Sequence, residues 1–398
     1  MYAEQIIQRL LGQECPSIHA KRRTSIASVV GAALRGGLCI ARMGVHLKSL
    51  AKPKHRIKCC DRLLSNPHLA AERVEVYRAM SRRLLKGKRH VQVAVDWSQV
   101  RENGSAQLLR AATIVKGRAF TLYEEVHPQK NLGAQSVHAS FMATLQTMVP
   151  PHCTVIIITD AGFRATWFKL LDRLGFAWVG RIRNVDQVCK QRCHDWRAGK
   201  TLHARACAKV RDLGDYFYAR TNAIACRLVL FKSKSKRRHR LTKTGVQARS
   251  RRSKKNSASQ REPWLLAVSP SLSHIPAEAI VKIYAGRMQI EQTFRDLKNG
   301  RWGMGLSNSQ TSGLRRLAAL LLIGALLTYA LWLIGLAARK AGYDISYGSR
   351  SKAATTLSIM SLAMHWIDDY RRPKLHAKDF RHALTELISM VATLEFEG

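Results

Sequence analysis

Hydrophobic residues recur at helical spacing through the first 86 residues of the chain. Apolar positions three or four apart predict helices, and Gly36-Gly37, Lys52-Pro53-Lys54 and Asn66-Pro67 interrupt them. The predicted helices are Ala3–Leu11, Thr24–Leu34, Leu38–Leu50, His55–Leu64 and Ala70–Leu85. We therefore expect residues 1–86 to form an all-α N-terminal region.

Near residue 90 the spacing changes to the alternation of a β-strand, with Val91, Val93 and Val95 separated by other residues. The run Thr154–Thr159 (TVIIIT) is typical of a strand buried on both faces. Further strands are predicted at Gln107–Ile114, Phe120–Val126, Phe176–Arg181, Tyr216–Ala219, Cys226–Phe231 and Trp264–Val268, and helices at Gln135–Met148, Ala165–Leu174 and Ala277–Lys298. This order predicts a mixed α/β fold, a sheet with helices on its faces.

One segment, Leu317–Ala338, carries no charge and is long enough to cross a membrane. A helix at the centre of a large domain is equally apolar on all sides. Because strongly charged stretches surround this single segment, we favour a buried helix. A membrane-associated basic protein is the alternative.

The charge balance points to a polyanionic partner. The 398 residues include 67 Lys or Arg and 26 Asp or Glu, which gives a formal net charge of +41. Nucleic acid is the first expectation for the partner and an anionic membrane surface the second. The stretch from Lys232 to Lys255 has twelve basic residues and no acid, which is typical of a solvated loop able to contact phosphates.

A cluster of basic residues lies on or beside a short predicted helix that follows a turn. Its members Lys54, Arg56, Lys58 and Arg62 are typical of a helix that reads the DNA major groove. The alternative, a helical bundle with a solvated basic face, fits this region equally well.

The nine cysteines are odd in number and irregularly spaced, which indicates reduced thiols in a cytosolic protein. The N-terminus has no basic segment followed by an apolar core, so we expect no signal peptide. Cys189, Cys193, His194, His203 and Cys207 are close enough in sequence to leave a zinc site as a less favoured alternative.

Two aspartates follow predicted strands: Asp96 follows VQVAV and Asp160 follows TVIIIT. If these strands are neighbours in one sheet, both carboxylates emerge at the same edge, where ligands of α/β sheets bind. Two carboxylates in an open site suit Mg²⁺ or Mn²⁺. For either residue alone, a turn or cap role is the simpler interpretation.

The predicted helix Ala277–Lys298 adds a polar stripe. Tyr284, Arg287, Glu291 and Lys298 fall within an arc of roughly 60° on an α-helix. An apolar stripe beside it would face the sheet: Ile283, Ile290, Phe294 and Leu297. The stripe could complete a metal site and bind phosphate, although periodicity alone favours an ordinary amphipathic helix whose exposed face carries salt bridges.

These residues resemble a known family. Tyr-x2-Arg-x3-Glu-x6-Lys from Tyr284 to Lys298, VDWS at Val95–Ser98 and TDAGF at Thr159–Phe163 resemble the bacterial insertion-sequence DDE transposases with the Y-R-E-K signature. This group includes the transposase of the tetracycline-resistance transposon. The resemblance runs through most of the chain.

The resemblance implies a ribonuclease-H-like catalytic core with an inserted β-rich region, preceded by an all-α DNA-binding domain. Asp96, Asp160 and Glu291 would bind two Mg²⁺ ions, with Mn²⁺ as an alternative. The implied reaction is cut-and-paste transposition through a DNA hairpin, with no covalent enzyme intermediate. Trp264 would stack on a flipped base, and Met288 stands where some relatives have a second Trp. Tyr284, Arg287 and Lys298 would hold phosphates.

The resemblance also implies a homodimer acting on paired terminal inverted repeats and target DNA in the bacterial cytoplasm, at the nucleoid, without a membrane. The expected regions are 1–86 for DNA-end binding, 87–183 and 263–340 for the catalytic core, 184–262 for the insertion and 341–398 for a helical region suited to dimerisation. Two alternatives stay open: a non-enzymatic DNA-binding derivative of a transposase, and a ribonuclease-H-like nuclease that cuts without joining.

Overall fold

A computed structural model describes most of the chain. The described residues are 2–101, 103–183, 185–233, 246, 250, 262–300, 303–347, 357–372 and 374–393. Most of the basic run Lys232–Lys255 lies outside them.

The described chain begins and ends with helices, and the strands lie between them together with two further α-helices. The helices are α1 Tyr2–Glu14, α2 Ala20–Gly36, α3 Ile40–His46, α4 Pro53–Leu64, α5 Pro67–Leu84, α6 Gln135–Gln146, α7 Ala165–Arg173, α8 Ala277–Gly286, α9 Met288–Lys298, α10 Leu314–Lys340, α11 Ile359–Asp368 and α12 Ala377–Ser389. The strands are β1 His90–Gln99, β2 Ala106–Val115, β3 Arg118–Pro128, β4 Thr154–Thr159, β5 Ala177–Arg181, β6 Gln187–Lys190, β7 Arg197–Ala198, β8 Arg211–Tyr218, β9 Ile224–Phe231 and β10 Trp264–Val268. The mixed α/β prediction is confirmed.

The chain divides into two compact units. The first comprises Met1–Cys153 and Met288–Gly398, and the second comprises Thr154–Arg287. The regions predicted at 1–86 and 341–398 therefore belong to the first unit, and the predicted insertion 184–262 belongs to the second.

In the first unit, β2 pairs antiparallel with both β1 and β3. All ten residues of β2 are buried, as expected of a central strand that is paired along both edges. The register aligns three charged residues across the strands, since Asp96 lies opposite Arg110 and Arg110 lies opposite Glu124. These side chains point to the same face of the three strands.

In the described part of the second unit, the strands follow the order β4-β5-β10-β9-β8-β6-β7. Strands β4 and β5 are parallel, and helix α7 connects them along the chain. The other neighbours in the unit are antiparallel. In β4, every residue after Thr154 is buried, as the run of β-branched residues predicts.

The N-terminal helices begin where the sequence predicts breaks. Pro53 occupies the first turn of α4 and Pro67 that of α5, where a missing N–H costs no hydrogen bond. The Asn66 side chain caps α5 by accepting from the N–H of His68 at 2.9 Å. A Cβ at Gly44 would lie 2.5 Å from Cα of Ile57, so this glycine permits α3 and α4 to pack closely.

Helix α10 is the core of the first unit. It packs against α1, α2, α5 and β3 and against α11 and α12. It is long and apolar enough to span a membrane, but 94% of its most apolar window is buried inside the protein. The prediction of a buried helix is confirmed.

The prediction of one helix over Ala277–Lys298 is wrong. The structure has two helices, α8 and α9, which are separated at Arg287. Gly286 has a low helix propensity, and the Arg287 N–H donates to the carbonyl of Tyr284, three residues back, at 3.1 Å. Tyr284 therefore lies on one helix, whereas Glu291 and Lys298 lie on the other.

Candidate active site and DNA-binding residues

Asp96 lies inside β1, near its carboxyl end, and is partly exposed. Its Oδ1 accepts a hydrogen bond from the N–H of Trp97 at 2.8 Å. Ser98, two residues further on, points to the same face of the strand. Both side chains are thus presented on the face that carries Arg110 and Glu124.

Helix α9 packs against β1, β2 and β3 and carries two residues of the predicted stripe, Glu291 and Lys298. Two contacts fix the helix to β3. The Thr293 hydroxyl donates to the carbonyl of Ala119 at 3.0 Å, and Asp296 accepts from the Arg118 guanidinium at 2.8 Å. Glu291 and Lys298 are seven residues apart, so they lie on the same side of the helix.

The Lys298 ammonium reaches β1. Its Nζ donates to the Ser98 hydroxyl at 2.7 Å. Burial lowers the pKa of Lys298, and the nearby Arg110 charge lowers it further, whereas Asp96 acts in the opposite direction. The charges of Asp96 and Lys298 are therefore close enough to influence each other.

A buried ionic network lies next to Asp96 and Lys298. Arg110 and Glu124 are 3% and 1% exposed and form an ion pair, in which Nε and Nη2 of Arg110 both contact Oε2 of Glu124, at 2.7 and 2.6 Å. Tyr77 of α5 donates its hydroxyl to Glu124 at 2.8 Å. Phe294 of α9 lies against Arg110, with 5.0 Å between its ring centroid and the guanidinium carbon. The network thus joins α5, two strands and α9.

The opposite face of β1 carries an aromatic and histidine cluster. The Trp97 indole N–H donates to Nε2 of His138 in α6 at 3.1 Å. Burial lowers the pKa of His138 to about 4, and His127 contributes to the shift. His127 in turn contacts Glu125 at 2.8 Å. A neutral His138 thus accepts the hydrogen bond that holds Trp97, the residue after Asp96.

In the second unit, Asp160 follows β4 directly and is partly exposed. Its Oδ1 accepts from the N–H of Gly162 at 2.7 Å. A Cβ at position 162 would lie 2.9 Å from the same oxygen, which explains the glycine of the TDAGF motif. Arg183 donates to the carbonyl of Ala161 at 2.6 Å and so braces the turn.

Trp264, Tyr284 and Arg287 form a second group in this unit. The rings of Trp264 and Tyr284 meet edge to face, with centroids 4.9 Å apart. The Arg287 guanidinium carbon lies 5.9 Å from the Tyr284 ring centroid. Burial raises the pKa of Tyr284 and Asp160 adds to this, whereas Arg287 and Arg181 oppose it. Tyr284 therefore lies within electrostatic reach of Asp160.

The predicted DNA-binding residues of α4 divide into two kinds. Lys54, Lys58 and Arg62 are exposed and four residues apart, so they form a basic stripe along one side of the helix. Arg56 is half-buried, and its guanidinium donates to the carbonyls of Val45 and Leu47, both at 3.1 Å. It braces the segment before α4. Asp61 ties the helix to α10 through Arg316 at 2.5 Å.

Met288 begins α9 and is 44% exposed, as a side chain that contacts DNA would have to be.

The cysteine-rich segment forms no metal site. Among the residues that the structure describes, no three or more His, Cys, Asp or Glu side chains are gathered into a group that could hold a metal ion, and Asp96, Asp160 and Glu291 form no such group either. All nine cysteines are described, and the structure gives each of them as a free thiol.

Sequence reasoning missed Arg110, Glu124 and Ser98. A signal existed for the first, because Arg110 is the only charge in the apolar segment Ala106–Val115. For Ser98, the two-residue period of β1 places it on the side of Asp96. Glu124 has no such signal, because only the pairing of β2 with β3 makes it the partner of Arg110.

Comparison with known families identifies the chain. The Transposase DDE domain matches residues 92–330, more than half of the chain, from β1 to the middle of α10. The protein therefore belongs to the DDE transposase family, whose enzymes cut and join DNA strands and accordingly bind DNA. None of the curated proteins compared with the chain matches it.

Proposed function

We propose that the protein is the cut-and-paste transposase of an insertion sequence, within the Y-R-E-K group that includes the transposase of the tetracycline-resistance transposon. One observation carries the proposal. Helix α9 brings Lys298 to Ser98 on β1, two residues after Asp96. The ammonium of Lys298, a signature residue, and the carboxylate of Asp96 therefore lie at the same edge of the first unit. Such an edge can bind both a metal ion and a phosphate.

Asp96, Asp160 and Glu291 would hold the metal ions. Their hard carboxylate oxygens are the ligands that Mg²⁺ prefers, and Mn²⁺ accepts the same set. When bound, two ions would activate the attacking water or 3′-hydroxyl and stabilise the leaving oxygen. The carboxylates act as ligands rather than nucleophiles, so the protein forms no covalent bond to DNA.

The remaining signature residues bind and orient the DNA. Lys298, Arg287 and Tyr284 hold phosphates near the cleaved bond, which fixes the strand for in-line attack. The hairpin needs sharply bent DNA, and a base that leaves the stack relieves the strain. Trp264 stacks on that base, and the exposed Met288 inserts beside it as an apolar wedge.

The basic stripe Lys54, Lys58 and Arg62 reads the terminal inverted repeat. Helices α3 and α4 supply a compact helical pair whose second member is exposed and basic, as in proteins that place a helix in the major groove. A homodimer then holds two transposon ends and the target DNA in one synaptic complex at the bacterial nucleoid. The catalytic core of the proposed transposase has a ribonuclease-H-like topology.

Three substitutions test the metal ligands: Asp96→Asn, Asp160→Asn and Glu291→Gln. Each removes a charged ligand while preserving shape, so Mg²⁺-dependent cleavage of DNA carrying both flanks of the gene should fall at least about hundredfold. Binding to the uncut end, measured by gel shift, should remain. Glu278→Gln, at an exposed acid in the first turn of α8, is the matched control and should cleave normally. Full cleavage by any of the three variants contradicts the ligand set.

A second assay separates transposition from simpler activities. A pre-cleaved end with a free 3′-hydroxyl should be joined to a target plasmid. Cleavage without joining would identify a nuclease. Specific end binding with neither activity would identify a DNA-binding derivative.

A further inference from the structure

Ser98 lies at a position that the proposed DNA and metal contacts do not explain. It is on β1, two residues after Asp96, and its side chain points to the same face of the strand. The Ser98 hydroxyl oxygen accepts a hydrogen bond from Nζ of Lys298 at 2.7 Å. This single contact links the strand of one proposed ligand to the end of the helix that carries another, Glu291.

The other surroundings of Lys298 restrict where its ammonium can go. Nζ lies 5.8 Å from the centroid of the Phe294 ring, and the guanidinium carbon of Arg110 lies 5.0 Å from the same centroid. The two cations therefore lie near the same ring and repel each other. Arg110 cannot move away, because it is buried and clamped by Glu124. The repulsion directs the ammonium away from Arg110, and Ser98 supplies a hydrogen-bond acceptor for it.

Lysine by itself is a poor positioning group. Its charge sits on a flexible four-carbon stem, and holding the stem in one conformation costs entropy. A hydroxyl that accepts one of the three ammonium N–H bonds fixes the stem before DNA arrives and leaves donors for phosphate oxygens. Arranging the group in advance lowers the barrier of a reaction that depends on position.

We propose that Ser98 is a positioning residue that holds the Lys298 ammonium at the carboxyl end of β1, ready to bind the phosphate at the cleaved bond. This inference rests on the proposed function, in which Lys298 contacts DNA. Ser98 itself touches neither metal nor DNA in this role. It acts only through Lys298.

A double-substitution cycle tests the proposal on the full chain. Ser98→Ala, Lys298→Met and the double variant are compared in Mg²⁺-dependent cleavage of a transposon end. Ser98→Ala should slow cleavage about tenfold, because a hydrogen bond to a charged group is lost. In the Lys298→Met background the same change should have no further effect, since the group that Ser98 positions is absent. Ser98→Thr keeps the hydroxyl and should restore most of the rate.

Ser307→Ala is the matched control. The Ser307 hydroxyl also contacts Lys298, but it donates to the main-chain carbonyl at 2.6 Å rather than accepting from the ammonium. This variant should cleave at the wild-type rate. Thermal unfolding of every variant identifies any loss of rate that comes from unfolding.

The outcomes separate this inference from the proposed function. If Lys298→Met slows cleavage but Ser98→Ala does not, or if Ser98→Ala slows both backgrounds equally, the positioning role is wrong and the transposase proposal stands. If Lys298→Met cleaves normally, both the phosphate role of Lys298 and the role of Ser98 are wrong. If the wild-type protein does not cleave its own ends, the proposed function fails, and this inference fails with it.

Discussion

At the scale of single residues, neighbours on one strand or helix have different tasks. Arg56 and Lys58 are two residues apart in α4, but the Arg56 guanidinium is bound to main-chain carbonyls, whereas Lys58 is exposed and pairs with Asp61 at 3.0 Å. Composition could predict that the helix is basic. It could not assign these tasks, because they depend on which side of α4 faces α3.

Trp264 gives a residue-scale prediction about the hairpin. Trp264→Ala should slow hairpin formation roughly 10–100-fold, since stacking on one base is worth about 1–3 kcal/mol. First-strand nicking should change little, because in the proposed reaction it precedes base flipping. Denaturing gels that resolve nicked and hairpin DNA over time measure both steps.

Trp264→Phe retains an aromatic face and should recover part of the hairpin rate. Equal slowing of nicking and hairpin formation by Trp264→Ala would exclude base stacking and indicate a packing role against Tyr284 instead.

His138 gives a residue-scale prediction about pH. Its pKa is lowered from an ordinary value of 6.5 to about 4 by burial, so the unfolded chain binds a proton more readily than the folded protein. The neutral histidine therefore contributes stability above pH 6.5, and this contribution is lost as the pH falls towards 4. Acidification over this range should cost at most about 3 kcal/mol from this group.

Urea unfolding at pH 7 and pH 4.5 checks this expectation. His138→Gln keeps an acceptor for the Trp97 indole but cannot be protonated in this range, so its stability should depend less on pH. The expectation is wrong if the wild-type protein and this variant lose the same stability on acidification.

At the scale of elements, strands β1 and β4 were predictable from the sequence, whereas the short strands β6 and β7 were not predicted. The alternation of valines in β1 and the β-branched run of β4 locate both strands, because burial of one or both faces leaves a direct trace in the sequence. The only sign in the sequence of the break between α8 and α9 is a glycine, and a helix can tolerate an isolated glycine. For this reason the stripe from Tyr284 to Lys298 was predicted on one helix.

The ion pair between β2 and β3 gives an element-scale prediction. Arg110→Met leaves Glu124 buried without its cationic partner and should destabilise the protein by about 3–5 kcal/mol. Arg110→Met combined with Glu124→Leu removes both charges and should recover most of the loss. Urea unfolding at neutral pH measures both variants.

The exposed pair Arg197–Asp195 is the control for this experiment. Its removal should change stability by less than about 1 kcal/mol, because water already solvates both groups. A loss at Arg110 no larger than this would mean that the buried pair contributes little.

At the scale of the whole molecule, the formal net charge of +41 favours binding to DNA, which is a polyanion. Binding to a transposon end should weaken steeply as salt rises, because each phosphate contact releases a counterion. Replacing Lys54, Lys58 and Arg62 together by Gln should reduce the slope of log affinity against log salt by about three.

Lys374, Lys378 and Arg381, three exposed cations of the C-terminal region, provide a matched loss of charge. Their replacement by Gln should leave the slope nearly unchanged. Fluorescence anisotropy across a salt series measures both variants, and an equal reduction in slope would show that the basic stripe of α4 has no special role.

The apolar helix α10 has a consequence for how the chain must be made. When it leaves the ribosome, its uncharged segment of 22 residues, Leu317–Ala338, has the length and composition that membrane-targeting factors recognise. By then the ribosome has already made some of the elements that pack against α10, namely α1, α2, α5 and β3. Helices α11 and α12, which also pack against it, are made later. Early docking of α10 onto this partly built core would therefore decide, during synthesis, whether the segment is buried in the protein or captured by a membrane.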